Sequence, residues 1–250
     1  MFPYKDENPT YLAPIVTVGV VLLNAAAWLV LQGAGTEPAL TRSVCELGLI
    51  PGDLLGTVPD GYELPLGRGA VCVLGGAPAW HTTLTSMFLH GGWFHLIGNM
   101  WFLWVFGNNI EDAMGHGRFV GFYLLCGLLA AAAQVATGPS SPVPMVGASG
   151  AISGVMGAYL VLYPRVRVHT LIFLGFFLTR VTLPAWIMLL YWAFLQLVGS
   201  VPAIAGGQTG GGVAFMAHLG GFVAGAALIK LFAKPELVRR HRRPVMALGG

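Results

Sequence analysis

The stretch Gly147-Ala148-Ser149-Gly150 lies between two segments of opposite character. The preceding residues, 137–146, contain a glycine and three prolines, which stop a helix. The apolar run 149–163 follows, with small residues at helical spacing. We therefore expect a helix to begin at or near Ser149. At that position the unpaired backbone N–H groups and the positive end of the helix dipole stabilise an anion beside the serine hydroxyl.

The composition around this stretch is that of a membrane protein. The chain has 250 residues, of which 56% are hydrophobic and only 9% charged, against about a quarter charged in ordinary soluble domains. We predict an all-α polytopic protein with six transmembrane helices, several of which reach the roughly 17–25 residues needed to cross a bilayer. The six apolar stretches are 12–31, 93–110, 119–136, 149–163, 184–198 and 213–232. A seventh patch, 168–178, is too short to span and is interpreted as interfacial or as a lead-in to the fifth crossing.

These crossings divide the chain into three parts. We predict a cytoplasmic N-terminal segment over residues 1–10, a six-helix membrane domain over 11–233 with an external loop at 32–81, and a basic cytoplasmic tail over 234–250. The tail after the last crossing is interpreted as an anchor near anionic lipid rather than as a nucleic-acid site. The first apolar run has no cleavage site after it and is therefore expected to stay as a crossing. A bacterial cytoplasmic (inner) membrane is the expected location, because the chain is short, rich in Ala and Gly, and shows no targeting segment.

The basic residues predict the orientation. With the N- and C-termini in the cytoplasm, only Arg42 and Arg68 face outside, which satisfies the positive-inside tendency. The eleven basic residues placed inside are Lys5, Arg118, Arg165, Arg167, Arg180, Lys230, Lys234, Arg239, Arg240, Arg242 and Arg243.

Polar side chains and glycines mark the faces of three crossings. His95 and Asn99 lie four residues apart, and therefore on one face of the second crossing. Such residues hydrogen-bond other helices or perform a task inside the bundle. His218 shares a face of the sixth crossing with two glycines, and the fourth crossing also has a glycine face, so the two faces can touch. The glycines expected to permit close packing are Gly147, Gly150, Gly154, Gly221 and Gly225.

A simple estimate of depth below the outer membrane surface places the polar residues at a similar level. At about 1.5 Å per residue, His218 lies roughly 7.5 Å and Asn99 roughly 9 Å below the outer surface. The fourth run is too short for a hydrocarbon layer of about 30 Å, which places Ser149 about 8 Å deep. A non-helical loop at that depth must line protein or a water-filled cavity. Because the crossings offer no carboxylate there, we expect a Ser/His dyad, with the oxyanion stabilised by Asn99, His95 and the Ser149 backbone N–H.

Three sequence motifs resemble those of the rhomboid family of intramembrane serine proteases. The resemblance covers about residues 87–229. The family's G-x-S-G matches Gly147 to Gly150, its H-x-x-x-N matches His95 to Asn99, and its A-H-x-x-G-x-x-x-G matches Ala217 to Gly225. The resemblance implies a six-helix bundle in the bilayer that cleaves transmembrane segments of other proteins near the outer face, with Ser149 as nucleophile and His218 as general base and acid. It implies neither metal nor cofactor, and it leaves the oligomeric state open.

The chain departs from the family pattern at two places. Trp80-His81-Thr82 stands where the family often has a Trp-Arg pair, and Ser153 stands where an aromatic often stacks on the histidine. We therefore expect His218 to be less firmly oriented. Trp192 and Gln196, four residues apart on the fifth crossing, are interpreted as packing residues.

Two alternatives remain beside a protease, namely a transporter with polar residues along a pathway and an inactive homologue that only binds membrane helices. No repeated half or buried ion pair supports a transporter. A metalloprotease is excluded because H-E-x-x-H is absent, and an aspartyl protease because no Asp lies in a crossing. Cys45 and Cys72 share the external loop and form either a disulfide or two free thiols.

Overall fold

A computed structural model describes residues 1–67, 70–174, 177–204 and 214–242. The predicted positions of Arg68 and of the tail beyond Arg242, with Arg243, lie outside the described residues. The helices are α1 (Ile15–Ala26), α2 (Ala39–Leu47), α3 (Pro51–Leu54), α4 (Thr82–Thr85), α5 (Trp93–Met114), α6 (His116–Thr137), α7 (Ser149–Leu162), α8 (Ala185–Ile204), α9 (Phe215–Phe232) and α10 (Pro235–Arg242). The strands are β1 (Phe2–Asp6), β2 (Tyr62–Gly67), β3 (Ala70–Leu74), β4 (Arg167–Leu174) and β5 (Phe177–Pro184).

The predicted apolar runs correspond to the longer helices. The residues Ala27–Leu31 extend α1 in a π-helical conformation. Two helices, α6 and α9, are long and apolar enough to cross a membrane by length and composition. The apolar segments Ile15–Leu31, Ser149–Leu162 and Ala185–Val201 are shorter. The structure is therefore mostly helical, and the count of six crossings stays a prediction.

Helix α7 lies at the centre of the bundle. Every residue from Gly150 to Tyr159 is buried, and the helix packs against α5, α6 and α9. The end of α7 opposite Ser149 meets an aromatic core, in which the rings of Phe106 and Tyr159 pack edge to face with centroids 5.0 Å apart. Because the helix is enclosed on these sides, its first residue has a fixed position in the fold.

The expectation of an all-α chain is wrong. Strand β4 pairs antiparallel with both β1 and β5, which gives a three-stranded sheet in the order β1-β4-β5. The described residues of the patch 168–178 therefore belong to two strands, the second of which leads into α8, and the interfacial position of the patch stays a prediction. Val168 and Thr170 are fully buried while Arg167 is exposed, which is the period-two pattern of a half-buried strand.

The external loop has a structure of its own. It contains α2, α3 and the β2–β3 hairpin, and a disulfide between Cys45 and Cys72 joins α2 to β3. The choice left open by the sequence is thereby decided in favour of the bridge. Leu49 exchanges two backbone hydrogen bonds with Met145, at 3.0 and 2.7 Å, so the loop holds the segment that leads into α7.

Two carboxylates at the end of α5 anchor the N-terminal region. Glu111 is fully buried and accepts hydrogen bonds from the backbone N–H groups of Val16 and Thr17, which caps the start of α1. Asp112 accepts a hydrogen bond from the backbone N–H of Tyr11 at 2.6 Å. These contacts tie α1 to α5 at the end of the bundle far from Ser149.

Candidate active site

Ser149 is the first residue of α7, as the sequence predicted. The preceding Gly147 has a φ of +130°, a conformation that residues with a Cβ rarely adopt. A Cβ at Gly147 would also stand 2.8 Å from Nε2 of His95. The backbone N–H of Gly147 donates to the carbonyl of Ser86 at 2.9 Å. A glycine is therefore required at this turn, which sets the position of the serine beside His95.

His218 lies in the first turn of α9, and its Nε2 is 2.7 Å from Oγ of Ser149. Close contact between two helices produces this distance. A Cβ on Gly221 would come within 2.0 Å of the Gly150 carbonyl oxygen, and one on Gly225 within 1.9 Å of the Gly154 carbonyl oxygen. The two backbones thus touch along faces that contain Gly150, Gly154, Gly221 and Gly225.

The other ring nitrogen of His218 faces α8. Its Nδ1 lies 2.8 Å from Oε1 of Gln196. An amide oxygen only accepts hydrogen bonds, so Nδ1 carries the proton and Nε2 presents its lone pair to the Ser149 hydroxyl. The indole ring of Trp192 lies against the imidazole, with ring centroids 5.8 Å apart.

The orientation of His218 was the point at which the sequence interpretation failed. Ser153 is buried and donates its hydroxyl to the Ser149 carbonyl at 2.6 Å, so it does not support the imidazole. Trp192, interpreted as a packing residue, does pack against His218 and Phe222, whereas Gln196, interpreted in the same way, hydrogen-bonds His218. The available signal was their spacing of four residues on one face of an otherwise apolar helix.

Asn99 and His95 project from α5 towards the same space as Ser149. Asn99 is 8% exposed, and its Nδ2 has no hydrogen-bond partner among the described residues. The backbone N–H of Gly91 donates to Nδ1 of His95 at 3.2 Å, so in the neutral ring Nε2 carries the proton. The structure therefore offers two side-chain N–H donors near the serine, together with the backbone N–H at the start of α7.

These residues line one cavity of about 750 Å³. Its walls come from α5, α7, α8 and α9 and are otherwise largely apolar, with Phe102, Ile152, Met156 and Trp192 among them. Among the described residues that line it there is no carboxylate. The site therefore combines a serine, a histidine oriented by an amide, and N–H donors in an apolar cavity. These are the groups that enzymes use for acyl transfer.

Comparison with known proteins gives a consistent result. The chain is 42% identical over 81 residues to Rhomboid protease GluP of Bacillus subtilis, a match covering 32% of this chain and 15% of that protein. It is 30% identical over 160 residues to Rhomboid-like protein 11, chloroplastic, of Arabidopsis thaliana, covering 63% of this chain and 54% of that protein. It is 28% identical over 162 residues to Putative rhomboid protease YdcA of Bacillus subtilis, covering 64% and 69%. The chain thus spans less than two thirds of the first two relatives.

A family profile matches a region of similar length. The Rhomboid domain family matches residues 77–235, which is more than half of the chain and includes His95, Asn99, Ser149 and His218. On this evidence, the chain belongs to the rhomboid family.

Proposed function

We propose that this protein is an intramembrane serine endopeptidase that cleaves transmembrane segments of other membrane proteins. The observation that carries the proposal is the 2.7 Å contact between Ser149 Oγ and His218 Nε2 at the wall of a cavity. A nucleophile within hydrogen-bond reach of its base, with the base oriented by a third group, is the arrangement of covalent acyl transfer.

In the proposed reaction, Oγ of Ser149 attacks the carbonyl carbon of the scissile peptide while its proton passes to Nε2 of His218. The tetrahedral intermediate collapses as the C–N bond breaks, and His218 returns the proton to the leaving amine. A water molecule, deprotonated by the same nitrogen, then attacks the acyl-enzyme. Collapse of the resulting tetrahedral intermediate releases the new carboxyl end, and the proton returns from His218 to restore the serine hydroxyl. The reaction therefore needs no cofactor or metal.

The proposed oxyanion donors are Nδ2 of Asn99, Nε2 of His95 and the backbone N–H of Ser149. The free amide of Asn99 supports this role, because a buried donor without a partner costs free energy unless a ligand pairs with it. The apolar cavity walls strengthen such hydrogen bonds by lowering the local dielectric.

We propose six crossings with both termini in the cytoplasm. The pairing of β1 with β4 supports this topology, because two strands can pair only on one side of the membrane, and an even number of crossings must therefore separate them. Four apolar helices, α1, α5, α6 and α7, lie between them. The disulfide in the loop that contacts Met145 indicates that the Ser149 side faces an oxidising compartment.

The proposed location is a bacterial cytoplasmic membrane, with lipid and membrane-protein substrates as partners. Outward apolar side chains such as Phe94, Val223 and Leu231 suit contact with lipid. One of the relatives, Rhomboid-like protein 11 of Arabidopsis thaliana, is named as chloroplastic.

The test is cleavage of a single-span substrate in liposomes by the purified protein. We expect Ser149→Ala and His218→Ala each to lower the rate at least about a thousand-fold. Ser200→Ala is the matched control, because Ser200 is a buried serine that donates to the Leu197 carbonyl, outside the cavity lining. Cleavage by Ser149→Ala at the rate of the parent protein would overturn the proposal.

A fluorophosphonate probe distinguishes the protease from the two alternatives. The probe should label Ser149 in the parent protein and fail to label it in His218→Ala. A transporter or an inactive, helix-binding homologue would leave Ser149 unlabelled in both proteins.

A further inference from the structure

We infer that Gln196 is a positioning residue of the reaction, which fixes the tautomer and the orientation of His218 from α8. This inference rests on the proposed function and adds to it a neutral third member, at the place where soluble serine proteases use an aspartate. The sequence offers no carboxylate in the crossings, and the structure puts this amide in the corresponding position.

The contact has the geometry and polarity that the role demands. Oε1 of Gln196 lies 2.8 Å from Nδ1 of His218, while Nε2 of the imidazole lies 2.7 Å from Oγ of Ser149. The amide also has a partner for its other end, because Nε2 of Gln196 donates to the Trp192 carbonyl at 3.5 Å. With the amide in this orientation only the oxygen can meet the imidazole, so the ring proton is held on Nδ1.

A purely structural role does not account for a polar residue in the surroundings of Gln196. Its neighbours on α8 point outwards, with Leu195 43% exposed, Leu197 50% and Val198 51%. A polar side chain in such a helix is costly unless it has a partner inside the bundle. Apart from the Trp192 carbonyl of its own helix, the partner that the structure gives the Gln196 side chain is His218. The amide therefore serves the imidazole.

Trp192 completes the support from the same helix. It lies one turn before Gln196, and its indole packs against the imidazole with an interplanar angle of 40°. The hydrogen bond fixes the ring proton and the indole limits rotation of the ring. Because Ser153 on α7 donates its hydroxyl to the Ser149 carbonyl, the contacts that orient the His218 ring come from α8.

The electrostatics of the cavity give the inference a test that a structural role would not affect. His95 on α5 is the other ionisable side chain among the described residues that line the cavity, and α8 contributes none. Replacing the amide of Gln196 by a carboxylate therefore adds the first negative charge beside His218. Such a charge stabilises the imidazolium form, so the acid limb of the pH–rate profile should move to higher pH.

The experiment compares Gln196→Leu, Gln196→Glu and the lipid-facing control Leu195→Ala in the liposome assay. We expect Gln196→Leu to lower kcat about 10- to 100-fold with KM unchanged, because Nδ1–H of His218 loses its acceptor. Gln196→Glu restores an acceptor, so it should recover activity above the shifted acid limb. Leu195→Ala should behave like the parent protein. Thermal unfolding of each variant shows whether it folds. If Gln196→Leu does not fold, the pH–rate profile of Gln196→Glu tests the positioning role.

Two results would overturn the inference, namely a Gln196→Leu variant with the kcat of the parent protein, or a Gln196→Glu variant whose pH profile stays in place. Both leave the proposed function intact, provided that Ser149→Ala remains inactive in the same assay. If Ser149→Ala cleaves normally, the proposed function itself fails, so the two failures are distinguishable.

Discussion

The backbone N–H of Gly91 donates a hydrogen bond to Nδ1 of His95 at 3.2 Å. This contact determines which ring nitrogen of His95, across the cavity from His218, can donate a hydrogen bond. A neutral His95 with an occupied Nδ1 carries its proton on Nε2, the atom next to Gly147. Two histidines of the same cavity are thus held in opposite tautomers. Nε2 of His218 presents its lone pair to Ser149, as a base requires, and Nε2 of His95 presents an N–H, as an oxyanion donor requires.

The partner donor, Asn99, provides the first prediction. We expect Asn99→Ala to lower kcat about 10²- to 10³-fold with little change in KM, because the lost hydrogen bond forms mainly in the transition state. The measurement is steady-state cleavage in liposomes. Asn24→Ala is the matched control, since Asn24 is also buried but donates to the Val20 carbonyl within α1. An unchanged rate in Asn99→Ala would remove Asn99 from the oxyanion site and leave the dyad untouched.

Close packing of α7 on α9 provides the second prediction. Gly225→Ala forces a methyl group to within 1.9 Å of the Gly154 carbonyl oxygen, so the helices must separate. We expect a loss of about 1–3 kcal/mol or more in the free energy of unfolding and a loss of cleavage, because Ser149 and His218 move apart. Gly19→Ala, where no atom lies within 4 Å of the added methyl, should be neutral or stabilising by about 0.5–1 kcal/mol. Equal unfolding curves for the two variants in detergent would contradict the packing argument.

The third prediction concerns the disulfide between Cys45 and Cys72. Replacing both cysteines by serine should lower the free energy of unfolding by about 2–4 kcal/mol, because the external loop loses its crosslink. The parent protein should lose a similar amount when a thiol reductant is added, whereas the double variant should not respond. Cys126→Ala keeps the bridge and should respond like the parent protein, because Cys126 is a buried free thiol elsewhere. A parent protein that unfolds identically with and without reductant would contradict this prediction.

The fourth prediction concerns Asp6, whose carboxylate accepts a hydrogen bond from the Tyr159 hydroxyl at 2.5 Å. Burial raises the pKa of Asp6 from 3.8 to about 6. The folded protein therefore binds a proton more tightly than the unfolded chain, so the contribution of Asp6 to stability is fully present below pH 3.8 and is lost as the pH rises through about 6. The difference is worth up to about 3 kcal/mol.

Asp6→Asn should flatten the melting temperature between pH 4 and 7, because an amide does not titrate. The exposed Asp60→Asn is the matched control and should keep the slope of the parent protein. Parallel profiles for Asp6→Asn and the parent protein would show that Asp6 does not carry the effect.

Local patterns explain which features the sequence could predict. The start of α7 follows from prolines and glycines next to an apolar run, and the meeting of α7 with α9 follows from glycines at helical spacing. Both are consequences of residues close together in the chain. The catalytic roles of His95, Asn99, Ser149 and His218 remain predictions that the experiments above address.

The features that the sequence did not predict depend on distant partners. Strand β4 is hydrophobic enough to pass for a weak membrane segment. One of its neighbours, β5, follows it in the chain, whereas the other, β1, lies in the N-terminal segment before α1. The sequence shows only that Gln196 lies four residues from Trp192, and the contact of Gln196 with His218, at 2.8 Å, becomes visible only when α9 packs beside α8. In both cases the deciding contact is set by tertiary structure rather than by local periodicity.

The pairing of β1 with β4 also has a consequence for biogenesis. A molecule whose first helix enters the bilayer in the wrong direction leaves β1 on the opposite surface, and the edge of β4 then stays open. An open strand edge invites aggregation and attack by degradative enzymes. Under the proposed topology, the small sheet can therefore close only in a molecule whose first helix has the same direction as in this structure.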